Sequence, residues 1–278
     1  MCKKAQEDKN MSDAMKVIYI CFPGGKHKVL TMSYDDGKLA DRRLVSIFNR
    51  YGIKGTFHLN SGMHGQERIP SEEWKTLYEG HEMSCHTVTH PTIARSPIEQ
   101  VAVQVLDDRR YIERMAGYPV RGLSYPNGSY NKEIIELLPK LGIEYSRVVG
   151  NTDDFSMPEN YLAWKATCHH NHNLIENGKR FLELKKTQYM YMMYVWGHSY
   201  EFDRDDNWEL MEEFCSMMSG QDDIWYATNI QIVDYMKAAK NLRFTLDGDL
   251  VYNPNAADIW IRVDGEIMVI PGGQTVRL

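Results

Sequence analysis

Strand, polar loop and helix follow one another at least four times before residue 150, an alternation that restricts the chain to a parallel sheet with helices outside it. Residues 16–21 read as a short strand, broken by Phe22-Pro23-Gly24-Gly25. Residues 28–34 form a second apolar run that ends at Asp35-Asp36-Gly37. Helical spacing follows over 39–51, with Leu44, Ile47 and Phe48 on one face. Strands are predicted over 54–60, 82–85 and 122–125. The intervening helices are a segment opened by Ser71 as N-cap, residues 97–116 behind Ser96, and 132–141 stopped by Gly142. Residues 150–187 are less regular, 188–196 read as a buried strand, and 206–219 and 230–239 as helices.

After Asn241 the pattern changes to short alternating runs separated by Asp247-Gly248 and Asp264-Gly265, two hairpin turn signals. The reading is therefore α/β: a flexible segment 1–15, a distorted (β/α) barrel over 16–240, and a small antiparallel β appendage over 241–278. At 278 residues, 43% hydrophobic and 25% charged, the chain can bury a core without disulfides or metal. A net charge of -6 with no basic run excludes a nucleic-acid partner, and no apolar stretch approaches the ~20 residues of a membrane span. Five cysteines without a C-x-x-C pair exclude zinc ribbons and thioredoxin-like chemistry and suit a reducing compartment. The polar first 15 residues lack a signal-peptide core, so the expectation is cytoplasmic; Cys2 leaves a cell-envelope lipoprotein or exported form as the alternative, had a signal been removed.

In parallel α/β folds chemistry collects where strands end, and three strand ends carry ionisable residues. Asp35-Asp36 places two carboxylates side by side, which repel unless a cation or proton separates their roles. His86-Thr87-Val88-Thr89-His90 puts two histidines four apart in a turn before Pro91. His198 closes the strand that contains Trp196. Each alone has a bland reading: a capping pair, a weak H-x-x-x-H, a structural histidine. Together, Asp, His and His supply three ligands for a metal with positions left for water and substrate. The second carboxylate is then a general base, and a distant histidine can protonate a leaving group.

With these residues in this order the chain resembles the polysaccharide deacetylases of the NodB-homology type, carbohydrate esterase family 4. The family's T-F-D-D-G appears as Ser33-Tyr34-Asp35-Asp36-Gly37, and its H-[ST]-x-x-H appears intact as His86 to His90, about fifty residues later. The resemblance covers roughly residues 28–235. It implies a distorted (β/α) barrel holding a divalent metal, commonly zinc, with cobalt, nickel, iron or manganese as alternatives. By it Asp35 is the general base, Asp36, His86 and His90 are metal ligands, and His198 in Trp196-Gly197-His198-Ser199 is the general acid. The implied activity is deacetylation of an N-acetylated or O-acetylated sugar.

The third motif departs from the family's R-P-P-Y-G. Here Ser124-Tyr125-Pro126-Asn127-Gly128 stands in its place, with Ser124 where the arginine belongs and the Asn127 backbone N–H as the oxyanion donor. Tyr125 and Trp196 are expected beside Asn127 around the substrate. On this alignment Asp35 lacks a guanidinium neighbour; an arginine found there would overturn it. The fourth motif has only Asp153, Asp154 and Trp164 as candidates. Cys168-His169-His170-Asn171-His172 is a dense cluster for a second metal or a sugar-lined loop, although adjacent histidines point apart. Glu201 or Asp203 is placed to orient His198, while His58 and His64 read as structural. The rival readings are an amidohydrolase on a small non-sugar amide, an Fe(II) oxygenase, and an inactive carbohydrate-binding relative. Retention of Asp35, Asp36, His86, His90 and His198 together argues against the last.

Overall fold

A computed structural model describes residues 16–65 and 67–278; the expectation of a flexible segment over 1–15 lies outside the described residues. In chain order the strands and helices begin with β1 (Ile18–Cys21), β2 (Lys28–Asp35), α1 (Asp41–Tyr51), β3 (Gly55–Leu59) and α2 (Ser71–Leu77). They continue with β4 (Glu82–Cys85), α3 (Ile98–Ala116), β5 (Gly122–Ser124), α4 (Lys132–Leu137) and β6 (Tyr145–Arg147). The less regular stretch yields β7 (Cys168–His169) and α5 (Leu174–Leu182), followed by β8 (Tyr191–Gly197), α6 (Tyr200–Arg204) and α7 (Trp208–Met218). After β9 (Ile224–Tyr226) and α8 (Asn229–Lys240) come β10 (Arg243–Phe244), β11 (Leu250–Tyr252), β12 (Ile259–Val263), β13 (Glu266–Ile270) and β14 (Thr275–Arg277).

The main sheet is parallel throughout, in the order β6-β5-β4-β3-β2-β8-β7, with β9 on β2. Its centre is β2, buried at all eight positions, the polar Lys28, Thr31, Ser33 and Asp35 included, because a central strand is covered on both faces. β8 runs along one edge of β2; Lys28–Leu30 pair with β9 and Met32–Asp35 with β3. The sheet curves into a distorted barrel because a single segment bridges its ends. Trp164 exchanges backbone hydrogen bonds with Ser146 and Val148 beside β6, and Thr167 N–H donates to Tyr194 O on β8. Helices cover the sheet through apolar stripes such as Leu44, Val45, Ile47 and Phe48 of α1. Among the described residues no helix is long and apolar enough to cross a membrane.

Two compact units emerge: His27–Asp234, which holds the barrel, and the described residues up to Lys26 together with Tyr235–Leu278. The strand predicted over 16–21 exists, but it is not a barrel strand. β1 pairs antiparallel with β12, Ile18 opposite Val263 and Cys21 opposite Trp260, in a three-stranded sheet completed by β13. Its burial alternates, unlike that of β2, and a short apolar run does not disclose which kind of strand it is. The appendage is two sheets, since β10, β11 and β14 form a second. The Asp264-Gly265 hairpin has both residues at positive φ, 49° and 96°, as its two-residue turn requires. Ser71 and Ser96 are not caps: Pro70 and Pro97 take the N-cap positions of α2 and α3 with no side-chain cap bond. Asn131 does cap α4, accepting from Ile134 N–H at 3.0 Å.

Candidate active site

Every candidate residue lies at a carboxyl end of the parallel strands, where strand backbones stop pairing and side chains can converge. Asp35 is the last residue of β2; Asp36 follows in the left-handed region at φ 85°, its N–H bonded to His58 O at 2.9 Å. That turn, uncommon for a non-glycine residue, sends the two carboxylates in different directions. Arg68 holds it by donating to Asp36 O, and also donates to Asn60 Oδ1 at 3.3 Å.

His86 leaves β4 buried, and Thr87 and His90 adopt positive φ of 68° and 56°, so the loop folds back and brings the two imidazole centroids to 4.7 Å. Asn60 steadies it by donating Nδ2 to His86 O (2.7 Å) and Thr87 O (2.9 Å). Ligand-type atoms of Asp36, His86 and His90 all lie within 4.8 Å of one another. The His86 tautomer settles whether this set suits a cation. Its Nδ1 lies 2.8 Å from Ser124 O, which can only accept, so the proton sits on Nδ1. Nε2 then carries a lone pair, and it is buried with no hydrogen-bond partner. An imidazole oriented through its outer nitrogen with a bare inner nitrogen is the arrangement of a metal ligand, and the donor set fits a divalent ion.

Asp35 has a guanidinium partner after all, which overturns the expectation drawn from the third motif. Arg147, at the end of β6, is fully buried and donates Nη2 to Asp35 Oδ2 and to Ser124 Oγ (2.7 Å). Ser124 Oγ donates to the same carboxylate oxygen at 3.1 Å. Arg147 stands opposite Ser124 in the β5–β6 register, so a guanidinium reaches Asp35 from the strand next to the third motif. Arg121 is elsewhere, paired with Asp234 and Glu144. Burial works to raise the Asp35 carboxyl, but Arg147, with His86, His58 and His198 behind it, holds it well below the usual carboxylate range. Oδ2 is occupied, while Oδ1 is buried with no hydrogen-bond partner.

Across the site His198 Nδ1 lies 3.5 Å from Glu201 Oε2, one turn on in α6. Burial works to lower the His198 pKa, yet Glu201 outweighs it, aided by Asp35 and Asp36, and the net shift is upward. Asp203, the other candidate partner, instead accepts from Trp208 Nε1 at 2.7 Å. His169, His198 and Glu201 also bring ligand-type atoms within 4.8 Å. Here the outer nitrogen argues the opposite way. Asn171 N–H donates to His169 Nδ1 at 3.1 Å, so the proton is on Nε2, which donates to Glu201 at 2.9 Å and has no lone pair for a cation. The cluster is a carboxylate clamped by imidazoles. His170 is a core residue between Tyr34 and Phe202, its pKa pushed down to about 3 by burial, with His169 adding. His172 pairs with Asp153 at 2.9 Å, and Cys168 is buried.

Two further expectations need correction. Tyr125 is buried, stacks on Tyr130 and donates its hydroxyl to Leu162 O at 2.7 Å, so its side chain presents no surface to a ligand. Trp196 is buried too; its ring lies 4.5 Å from the Arg147 guanidinium and its Nε1 donates to Gly150 O, a platform for the arginine rather than a sugar face. Asn127 is exposed at φ 55°, in the turn after β5. Of the fourth-motif candidates, Asp153 binds His172 and Asn177, Asp154 accepts from Phe155 N–H, and Trp164 is buried in the core. His58 is structural, between Cys85 O and Ser33 Oγ, and His64 is exposed. A cavity of about 600 Å³ opens beside the cluster, lined by Asp36, Lys38, Met63, Arg68, His90 and Tyr200 among others.

Comparison with known proteins bears on the family and the fold. Residues 23–146 match the family described as polysaccharide deacetylase. A peptidoglycan-N-acetylglucosamine deacetylase of Listeria monocytogenes is 23% identical over 131 residues, 46% of this chain; the chain spans 27% of that protein's length. Among solved structures, a putative polysaccharide deacetylase from Mycobacterium smegmatis superposes with a TM-score of 0.62 at 17% identity, over 82% of this chain and 96% of that one. A family 4 acetyl xylan esterase from Clostridium thermocellum, in complex with a cobalt ion, gives 0.52 at 12% identity, over 75% and 91%. These two likenesses establish the fold.

Proposed function

We propose that the chain, whose residues 23–146 match the polysaccharide deacetylase family, is a metal-dependent hydrolase that removes acetyl groups from an acetylated sugar, foremost an N-acetylated amino sugar. The observation that carries this reading is a pair of buried, unpartnered atoms at one strand-end cluster, Asp35 Oδ1 and His86 Nε2. One offers a proton acceptor and the other a lone pair for a metal, on side chains that approach to 3.8 Å, His86 Nε2 to Asp35 Oδ2.

Asp36, His86 and His90 would hold a divalent ion, zinc first among the candidates, which when bound supplies Lewis-acid polarisation and acidified water. Asp35 takes a proton from water at Oδ1, since Oδ2 is occupied by Arg147 and Ser124. The same two partners fix its plane and keep it ionised at neutral pH. Asn127 N–H would donate to the acyl oxygen as charge develops on it. His198, held by Glu201, gives its proton to the departing amine, which leaves poorly unprotonated. The cavity beside Asp36 and His90 has room for a sugar unit, and Tyr200 lines it.

The test is acetate release by the zinc-loaded protein from N-acetylated amino sugars, O-acetylated sugars and small non-sugar amides. Release from acetylated sugars, abolished by a chelator and restored by zinc, supports the reading. Release from the amides alone moves the function to the non-sugar amidohydrolase, and no release from any of them defeats it.

The pH profile offers an independent check. The acid must be protonated, so activity falls as pH rises through its pKa, which lies above the ordinary value for a histidine. Replacing Glu201 by Gln removes the main upward influence. The basic limb of kcat/KM should therefore move to lower pH, with the acidic limb unmoved. An unchanged basic limb would show that His198 is not the group being titrated.

A further inference from the structure

Helix α3 buries a carboxylate in its apolar stripe. Val101, Val105, Asp108, Ile112 and Ala116 form its buried face, and Asp108 stands, fully buried, at a position where helical spacing calls for a hydrophobe. Its two oxygens reach into two strand-end loops at once. Oδ1 accepts Ser61 N–H at 2.8 Å, after β3, and Oδ2 accepts His86 N–H at 2.9 Å, after β4. The His86 N–H is shared with Leu59 O at 3.0 Å. One turn earlier on the same helix, Gln104 grips the far side of the loop, accepting from Thr89 N–H at 3.0 Å and donating to Thr89 Oγ1 at 2.8 Å.

The gripped loop is the one with Thr87 and His90 at positive φ, backbone that persists only where surrounding structure over-determines it. An apolar residue at 108 would pack the helix as well and leave both loop N–H groups without this acceptor. We propose that Asp108 is a positioning residue for the metal centre: through the Ser61 and His86 backbone it sets the His86–His90 loop so that both imidazoles face Asp36 before any ion arrives. The inference rests on reading Asp36, His86 and His90 as metal ligands. It adds that their preorganisation comes from a helix carboxylate that touches none of the ligand atoms.

Asp108→Asn is isosteric and replaces one acceptor by a donor facing an N–H. Zinc affinity of the full chain, read by competition with a chromophoric chelator well below the melting temperature, should weaken roughly 10- to 100-fold, as for other residues that orient ligands. Cobalt substituted for zinc should show a changed visible absorption band, reporting altered ligand geometry. A lower melting temperature with unchanged zinc affinity and cobalt spectrum would reduce Asp108 to a packing role and overturn the proposal. Asp108→Ser, read the same way, replaces it if Asn does not fold; failure of both to fold would make the residue a folding determinant and also overturn it. Wild-type protein and His86→Ala separate the two levels. If the wild type binds no zinc, or His86→Ala binds it equally well, the metal-centre reading itself fails. If those controls behave and Asp108→Asn binds like the wild type, only the positioning claim fails.

Discussion

His86→Ala and His198→Ala should both abolish most activity and differ in the metal. With His198→Ala, stoichiometric zinc should remain while kcat falls by about 10²–10⁴-fold, the usual worth of a positioned acid. With His86→Ala, zinc affinity and activity should be lost together, because the ring whose Nδ1 is anchored on Ser124 O supplies the bare Nε2 of the cluster. Equilibrium dialysis beside steady-state kinetics distinguishes the two. Loss of zinc from His198→Ala would make that histidine a ligand and require the site to be redrawn. Retention of zinc and of full activity would mean that the leaving group needs no acid, which favours an ester over an amide substrate.

Arg147→Met should be the most damaging single change away from the ligands. It strips the cation from a buried carboxylate, and breaking a buried pair by removing one partner costs about 3–5 kcal/mol. For a chain of this length that corresponds to a fall in melting temperature of roughly 10 °C. Activity should change in a pH-dependent way. Asp35 works as a base only when ionised, and without Arg147 the burial that raises its pKa is less opposed. The acidic limb of kcat/KM should therefore move upward in pH. The sign for stability is consistent: a depressed carboxyl contributes stability that is present above its unfolded pKa, about 4, and is lost as pH falls toward the folded value. Removing Arg147 deletes that contribution at neutral pH. Because Ser124 and Arg147 face each other in register, the exchange Ser124→Arg with Arg147→Ser should recover part of the loss. If Arg147→Met leaves the pH profile unmoved, the arginine is only a structural tie.

The clustering of Asp36, His86 and His90 was legible because they lie in two short motifs whose order survives in one dimension: Asp36 beside Asp35, and His86 four residues from His90. The parallel sheet was legible for a similar reason, since strand-like and helix-like segments alternate along the chain. Arg147 was not. It lies 112 residues from Asp35 at the end of a three-residue strand, and nothing local marks it as anything but a surface charge. Asp108 was hidden differently: on a helix otherwise rich in charge, a carboxylate in the buried stripe looks like a solvated one. Tyr125 and Trp196 failed because a residue type suggests stacking but not which way the ring turns; one donates to Leu162 O and the other underlies a guanidinium. The first strand failed because four apolar-leaning residues do not reveal whether one or both faces will be covered.

Sequence by itself determined the alternation of strand and helix, the Asp36, His86 and His90 that cluster at the strand ends and the presence of a second carboxylate beside them, all properties of neighbours along the chain. Tertiary structure alone decided which guanidinium meets Asp35, which carboxylate meets His198, which histidines keep a lone pair and which spend it on a backbone N–H. Those outcomes depend on strand register and on the direction of a hydrogen bond between segments dozens of residues apart, and neither is encoded in the local pattern of residue types.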